Sequence, residues 1–123
     1  MTRNPNSRKA RKEKDMTKQR NMRFAFDVDG VISEMPELFA ALTSALKLAG
    51  HEILIVTDFD ESFRKFREEE LTSLGIVYDE LIITPQKEKI FLERGVDFAF
   101  DDDVEYYENL KKLGVFVFGK PSG

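Results

Sequence analysis

Beyond Met22 the chain alternates short β-rich apolar runs with amphipathic stretches at helical spacing, a pattern that predicts an α/β domain built on a parallel sheet. Five strands can be placed: Phe24 to Val28, Glu52 to Val56, Leu81 to Ile83, Asp97 to Phe100 and Val115 to Phe118. The second, EILIV, is apolar throughout after its first residue, as suits a strand covered on both faces. Helices are predicted between them. Pro36 to Ala49 carries Leu38, Leu42, Ala45 and Ala49 on one face, with proline in its first turn and Gly50 just past its end. Asp60 to Leu74 aligns Phe63, Phe66, Glu70 and Leu74 and is stopped by Gly75. Thr84 and Pro85 read as N-cap and first turn of a helix reaching about Arg94, and Val104 to Leu113 is the last helix. The phenylalanines on strands and helix faces read as core; Phe59, in a polar loop after a strand, is the exception, for which a substrate contact is the lesser of two readings.

A length of 123 residues predicts one domain, and 41% hydrophobic residues including eleven Phe are enough for one core. With no Cys, disulfides and thiolate metal sites are excluded. No apolar run approaches the roughly 20 residues of a membrane span, and the charged N-terminus is unlike a signal peptide, so a soluble, cytoplasmic protein is expected, with no membrane partner. The net charge of −4 conceals an asymmetry: Met1 to Arg23 holds nine basic and two acidic residues, a net of +7, and the remainder ten against twenty-one, a net of −11. Residues 1–22 therefore read as a basic arm and 23–123 as the folded domain. As a solvated leader the arm serves solubility; as a contact it would engage nucleic acid or another acidic surface.

Ligands of open parallel sheets bind beyond the carboxyl ends of the strands. Here those ends carry Asp27 and Asp29 after the first strand, Thr57 and Asp58 after the second, Thr84 to Lys87 after the third, and Asp101, Asp102 and Asp103 after the fourth. A like-charge contact at 4 Å costs about 4 kcal/mol at an effective dielectric near 20, so such a cluster calls for a cation. All-oxygen ligands point to a hard ion, Mg²⁺ first.

These residues resemble the signatures of the haloacid dehalogenase (HAD) superfamily, over Arg23 to Phe118. FAFDVDGV matches the first motif, ILIVT ending at Thr57 the second, Lys87, eight residues before Gly95, the third, and DFAFDD ending at Asp102 the fourth. The resemblance implies a Rossmann-like three-layer α/β/α domain, without a cap because no insertion is long enough for one. It implies a Mg²⁺-dependent phosphate monoester hydrolase in which Asp27 is the nucleophile and Asp29 the general acid and base. Thr57 and Lys87 would bind the phosphoryl group, and Asp27, Asp29 (through its carbonyl), Asp102 and Asp101 would hold the metal, with Asp102 favoured by the alignment. The second Asp of DxD fits ester hydrolysis, whose leaving group needs a proton.

The natural substrate is a phosphorylated compound that the sequence leaves unidentified, and an uncapped site is open to a macromolecule or to coverage by a second copy of the chain. A phosphotransferase is the alternative within the superfamily. Outside it stands a HAD-like binding or regulatory module with weak or no turnover, docked by its basic arm; the intact motif residues argue against that. Lys89 is the substitute for Lys87 if the register slips, Asp103 reads as a cap of the last helix, Asp58 as a loop acid, Asp60 as a helix cap and His51 as a turn residue.

Overall fold

The computed structural model describes residues 21–103. They form an α/β unit with a four-stranded, wholly parallel sheet: β1 (Arg23–Phe26), β2 (Glu52–Thr57), β3 (Glu80–Ile83) and β4 (Phe98–Phe100), in the order β3-β2-β1-β4. Three α-helices connect them: α1 (Pro36–Leu48), α2 (Arg64–Ser73) and α3 (Lys87–Glu93). The predicted helix Val104 to Leu113 and strand Val115 to Phe118 lie outside the described residues, as do residues 1–20 of the basic arm. Met22 is tied to the sheet: its carbonyl accepts from Glu52 N–H and its N–H donates to His51 Nδ1. Among the described residues no helix is long and apolar enough to cross a membrane.

β2 shows how sequence becomes layers. Its alternating side chains feed two cores: Ile53 and Ile55 join Phe26, Phe39 of α1, Leu71 of α2 and Leu81, while Leu54 and Val56 join Ala25, Ala99 and Phe91 of α3. Helices α1 and α2 therefore cover one face and α3 the other. Each fully buried aliphatic of this strand contributes about 1.5 to 3 kcal/mol. Across β1 and β4, Phe26 stacks on Phe100 with centroids 4.8 Å apart and meets Phe39 edge-on, an aromatic floor just below the carboxyl end of the sheet.

All three helices stop in the same way. Gly50, Gly75 and Gly95 have positive φ, each donates to the carbonyl three residues back, and the next residue's N–H (His51, Ile76, Val96) reaches five back, the Schellman arrangement. In α2 and α3 the accompanying apolar contact is Ile76 with Leu71 and Val96 with Phe91. Gly50 and Gly75 are the stops expected from sequence, and Gly95 directly follows the expected end of the third helix near Arg94.

Three expectations are corrected. The buried row of α1 is Phe39 and Thr43, with Leu42 and Leu46 beside it, while Leu38 is 50% exposed and Ala45 and Ala49 face outward. In α2 the buried row is Arg67 and Leu71, while Phe63 and Phe66 are exposed and a short 3₁₀ turn, Glu61–Phe63, precedes the helix. The third helix begins at Lys87, with Gln86 at its N-cap position, rather than at Pro85 after a Thr84 cap: Thr84 Oγ1 accepts from Gln86 N–H in a turn ahead of the helix.

Candidate active site

Sheet register assembles the site. Phe26 pairs with Phe100, so the next residues, Asp27 and Asp101, emerge side by side, locked by the bond from Asp27 N–H to Phe100 C=O at 2.9 Å. The order of strands reverses here, since β1 connects away to β2 on one side while β4 returns on the other, which opens a crevice at the carboxyl edge.

After β1 the chain closes a tight turn. Val28 N–H donates to Asp27 Oδ1 at 2.8 Å, Ile32 N–H and Ser33 N–H return to the carbonyls of Asp27 and Val28, and Gly30 N–H donates to Ser33 Oγ. Gly30 has φ +85°, and a β-carbon there would lie 2.1 Å from Asp102 Oδ2. The missing side chain is therefore the space the Asp102 carboxylate occupies, so DxDG and the acidic run after β4 fit together only with glycine.

Lys87, the first residue of α3, crosses from the other face of the sheet and places its ammonium between two carboxylates, 3.0 Å from Asp27 Oδ1 and 2.9 Å from Asp101 Oδ2. All three side chains are buried. Asp101 is held on its other oxygen by Asp103 N–H at 2.9 Å, so Asp103 serves this turn through its backbone. Burial pushes the Asp27 carboxyl up to about 6; Lys87 pulls it back, and Asp101 adds to the rise. Burial likewise raises Asp101 against the pull of Lys87. At Lys87 burial opposes the ammonium, but Asp27 and Asp101 outweigh it and its pKa lies above the usual lysine value. One cation shared by two buried anions leaves an excess of negative charge, which sets the direction at Lys87 and adds to the rise that burial imposes on Asp27.

That excess suits a cation. Asp27, Asp101 and Asp102 each offer a carboxylate oxygen, all within 4.8 Å of one another, a set able to hold a metal ion. Hard oxygen donors with no sulfur or imidazole fit Mg²⁺ or Ca²⁺. Asp101 already gives one oxygen to Lys87 and one to Asp103 N–H, while Asp102 is partly exposed over Gly30.

The structure thus brings Asp27, Lys87, Asp101 and Asp102 together. Thr57 ends β2 at the same edge of the sheet, buried, its carbonyl accepting from Thr84 N–H. Lys89 points away and pairs with Glu93 at 3.9 Å. Asp60 caps the 3₁₀ turn by accepting from Ser62 N–H. The Asp29 carboxylate is not in the three-carboxylate group: it is two-thirds exposed and paired with Arg67.

Arg67 is the residue that sequence reasoning missed. It is 3% exposed, lies over the ring of Phe59 at 4.1 Å from the centroid, and bonds both Asp29 and Glu70. The available signal was its place four residues before Leu71 on the same helical row. A depression of about 360 Å³ lined by Asn21, Lys47, His51 and Asp97 lies at the opposite, amino edge of the sheet, and another of about 510 Å³ is lined by Pro85 to Lys89, Lys87 among them. No protein-family model matches the chain and no curated protein matches it, so a functional reading has to stand on the residues of the site itself.

Proposed function

We propose that this chain is a Mg²⁺-dependent phosphate monoester hydrolase of the HAD type, working through an aspartyl phosphate on Asp27. The observation that carries the reading is Lys87 bridging Asp27 and Asp101 at 3.0 and 2.9 Å with Asp102 alongside: one buried cation among three carboxylates drawn from two strand ends. The strand order β3-β2-β1-β4, with helices on both faces, suits the Rossmann-like arrangement of that superfamily, in which Val115 to Phe118 would supply the fifth strand.

Each residue then has a task. An Asp27 carboxylate oxygen attacks phosphorus, the bond from phosphorus to the ester oxygen breaks, and Asp29 delivers a proton to the departing alkoxide. Asp29 next takes a proton from water, whose oxygen attacks phosphorus and frees Asp27 and inorganic phosphate. A carboxyl titrating near 6 is largely ionised at pH 7.5 and so available as nucleophile. Lys87 offsets the repulsion between that carboxylate and the phosphoryl oxygens, and Thr57 supplies a hydroxyl donor from the rigid end of β2. Mg²⁺ would be held by Asp27 and Asp102, with Asp101 keeping Lys87 in place beside them. When bound, the ion would neutralise charge on the transferring group and orient it.

The test is hydrolysis of p-nitrophenyl phosphate with and without Mg²⁺. Turnover that requires the ion and vanishes in a folded Asp27→Asn variant supports the reading; turnover near wild type in Asp27→Asn, or none by the wild type with Mg²⁺, overturns it.

A further inference from the structure

We infer that Arg67 is the positioning residue for Asp29, setting where the second aspartate of the DxD motif presents its carboxylate; the catalytic part of this inference rests on the phosphatase reading above. The turn that carries Asp29 is fixed by bonds from Val28, Gly30, Ile32 and Ser33, none of which touches the Asp29 side chain. On a two-thirds exposed residue that side chain would otherwise sample several rotamers. Its partner is a guanidinium with little freedom. Arg67 lies on the Phe59 ring, its Nη1 donates to Glu70 at 2.7 Å on its own helix, and its Nη2 donates to Asp29 Oδ2. The chain therefore holds a buried charge at one end and a solvent-facing carboxylate at the other, joined across 38 residues of sequence.

Stability alone does not call for this arrangement. Arg67 occupies the same buried row as Leu71, its Nε is buried without a hydrogen-bond partner among the described residues, and Asp29 and Glu70 are exposed enough to be solvated if it were absent. An apolar residue of similar length at position 67 is expected to be neutral or stabilising. What it would lose is the fixed location of the carboxylate, and a proton-transfer group must lie within hydrogen-bond reach of the leaving oxygen to work. Phe59 thereby acquires a role: it is the surface on which the guanidinium rests.

The test pairs a thermal cycle with a comparison of leaving groups. In the thermal cycle, Asp29→Asn is expected to lower Tm by about 3 °C in the otherwise wild-type chain, because it removes the charge paired with a buried guanidinium, and by nothing in the Arg67→Met background. Additive shifts would overturn the contact and with it the inference, whether or not the protein is an enzyme. In the kinetic comparison, p-nitrophenyl phosphate needs little proton donation, whereas glycerol 2-phosphate needs it fully. Arg67→Met should lower kcat/KM, which excludes the water step that both esters share, at least about tenfold more on the glycerol ester than on the aryl ester, and should cause no further loss in the Asp29→Asn background. Arg67→Lys, which keeps a donor but not the fork, should recover part of the glycerol-ester rate. Equal losses of kcat/KM on both esters, or a further loss in the Asp29→Asn background, would overturn the positioning role. Should the wild type hydrolyse neither ester, the phosphatase reading falls and the thermal cycle alone decides the tether.

Discussion

Replacing Lys87 with Met puts the electrostatics of the site to a quantitative test. The side chain keeps its length but leaves Asp27 and Asp101 buried without their shared cation. Breaking a buried pair by removing one partner typically costs about 3 to 5 kcal/mol. The carboxyls can instead take up protons, and that route has a pH-dependent cost. Neutralising a carboxyl of ordinary value 3.8 costs about 5 kcal/mol at pH 7.5 and under about 2 kcal/mol at pH 5, at 1.36 kcal/mol per unit. With Asp27 at about 6, the wild type already bears about 3 kcal/mol of this at pH 7.5. Because the folded value lies above the unfolded one, this stability is present in full below pH 3.8 and is lost as pH rises through about 6. Lys87→Met should therefore lose about 3 to 5 kcal/mol at pH 7.5 but only about 1 to 2 kcal/mol at pH 5. Urea unfolding followed by circular dichroism, in EDTA at both pH values, measures the difference. An equal loss at the two pH values, or one below about 1 kcal/mol at pH 7.5, would refute the description of Lys87 as the shared counter-ion.

Mg²⁺ should stabilise the fold by about 3 kcal/mol at a hundredfold excess over its Kd, seen as a rise in Tm that EDTA reverses, and more at pH 7.5 than at pH 5, where protons compete for Asp27; an unchanged melting curve counts against the metal site. Gly30→Ala should cost about 1 to 2 kcal/mol for its positive φ and displace Asp102, abolishing the Mg²⁺-induced shift in Tm. Gly75→Ala, whose new β-carbon would meet only Ala40 at 3.6 Å, should suffer a similar backbone penalty yet keep the Mg²⁺ response. Thr57→Val should change stability in urea unfolding by less than about 1 kcal/mol, since the backbone bond from Thr84 N–H is kept, while lowering turnover of an aryl phosphate more than tenfold.

The four described strands and the meeting of Asp27, Asp101 and Asp102 were legible in the sequence because both are local: apolar runs mark the strands, and a motif at a strand end is carried to the edge of the sheet wherever the strand goes. Helix faces were less so. In α1 the rows through Leu38 and through Phe39 satisfy helical spacing equally well, and only the position of the sheet selects Phe39. The same choice in α2 places Arg67 inward and Phe66 outward, against the hydrophobicity of both residues. Arg67 is buried because Asp29, Glu70 and Phe59 converge on it, and Asp29 lies in a loop 38 residues away. No pattern within α2 encodes that meeting. The start of α3 was misplaced because Thr84 and Pro85 satisfy a helix cap and a turn alike, and the turn prevails.

β2 has neighbours on both edges and a core on both faces, so its amides cannot exchange with solvent unless β1 or β3 separates and one of the two cores opens. The amides of Ile53 to Thr57 should thus be among the slowest to exchange in the described residues, at a rate set by global unfolding. Thr57 inherits that persistence at its carboxyl end, whereas Asp29 and Asp102 lie on short turns whose opening leaves the sheet intact. The hydroxyl that would meet a phosphoryl group is thus as durable as the fold, whereas the carboxylate of Asp29 persists only as long as Arg67 holds it.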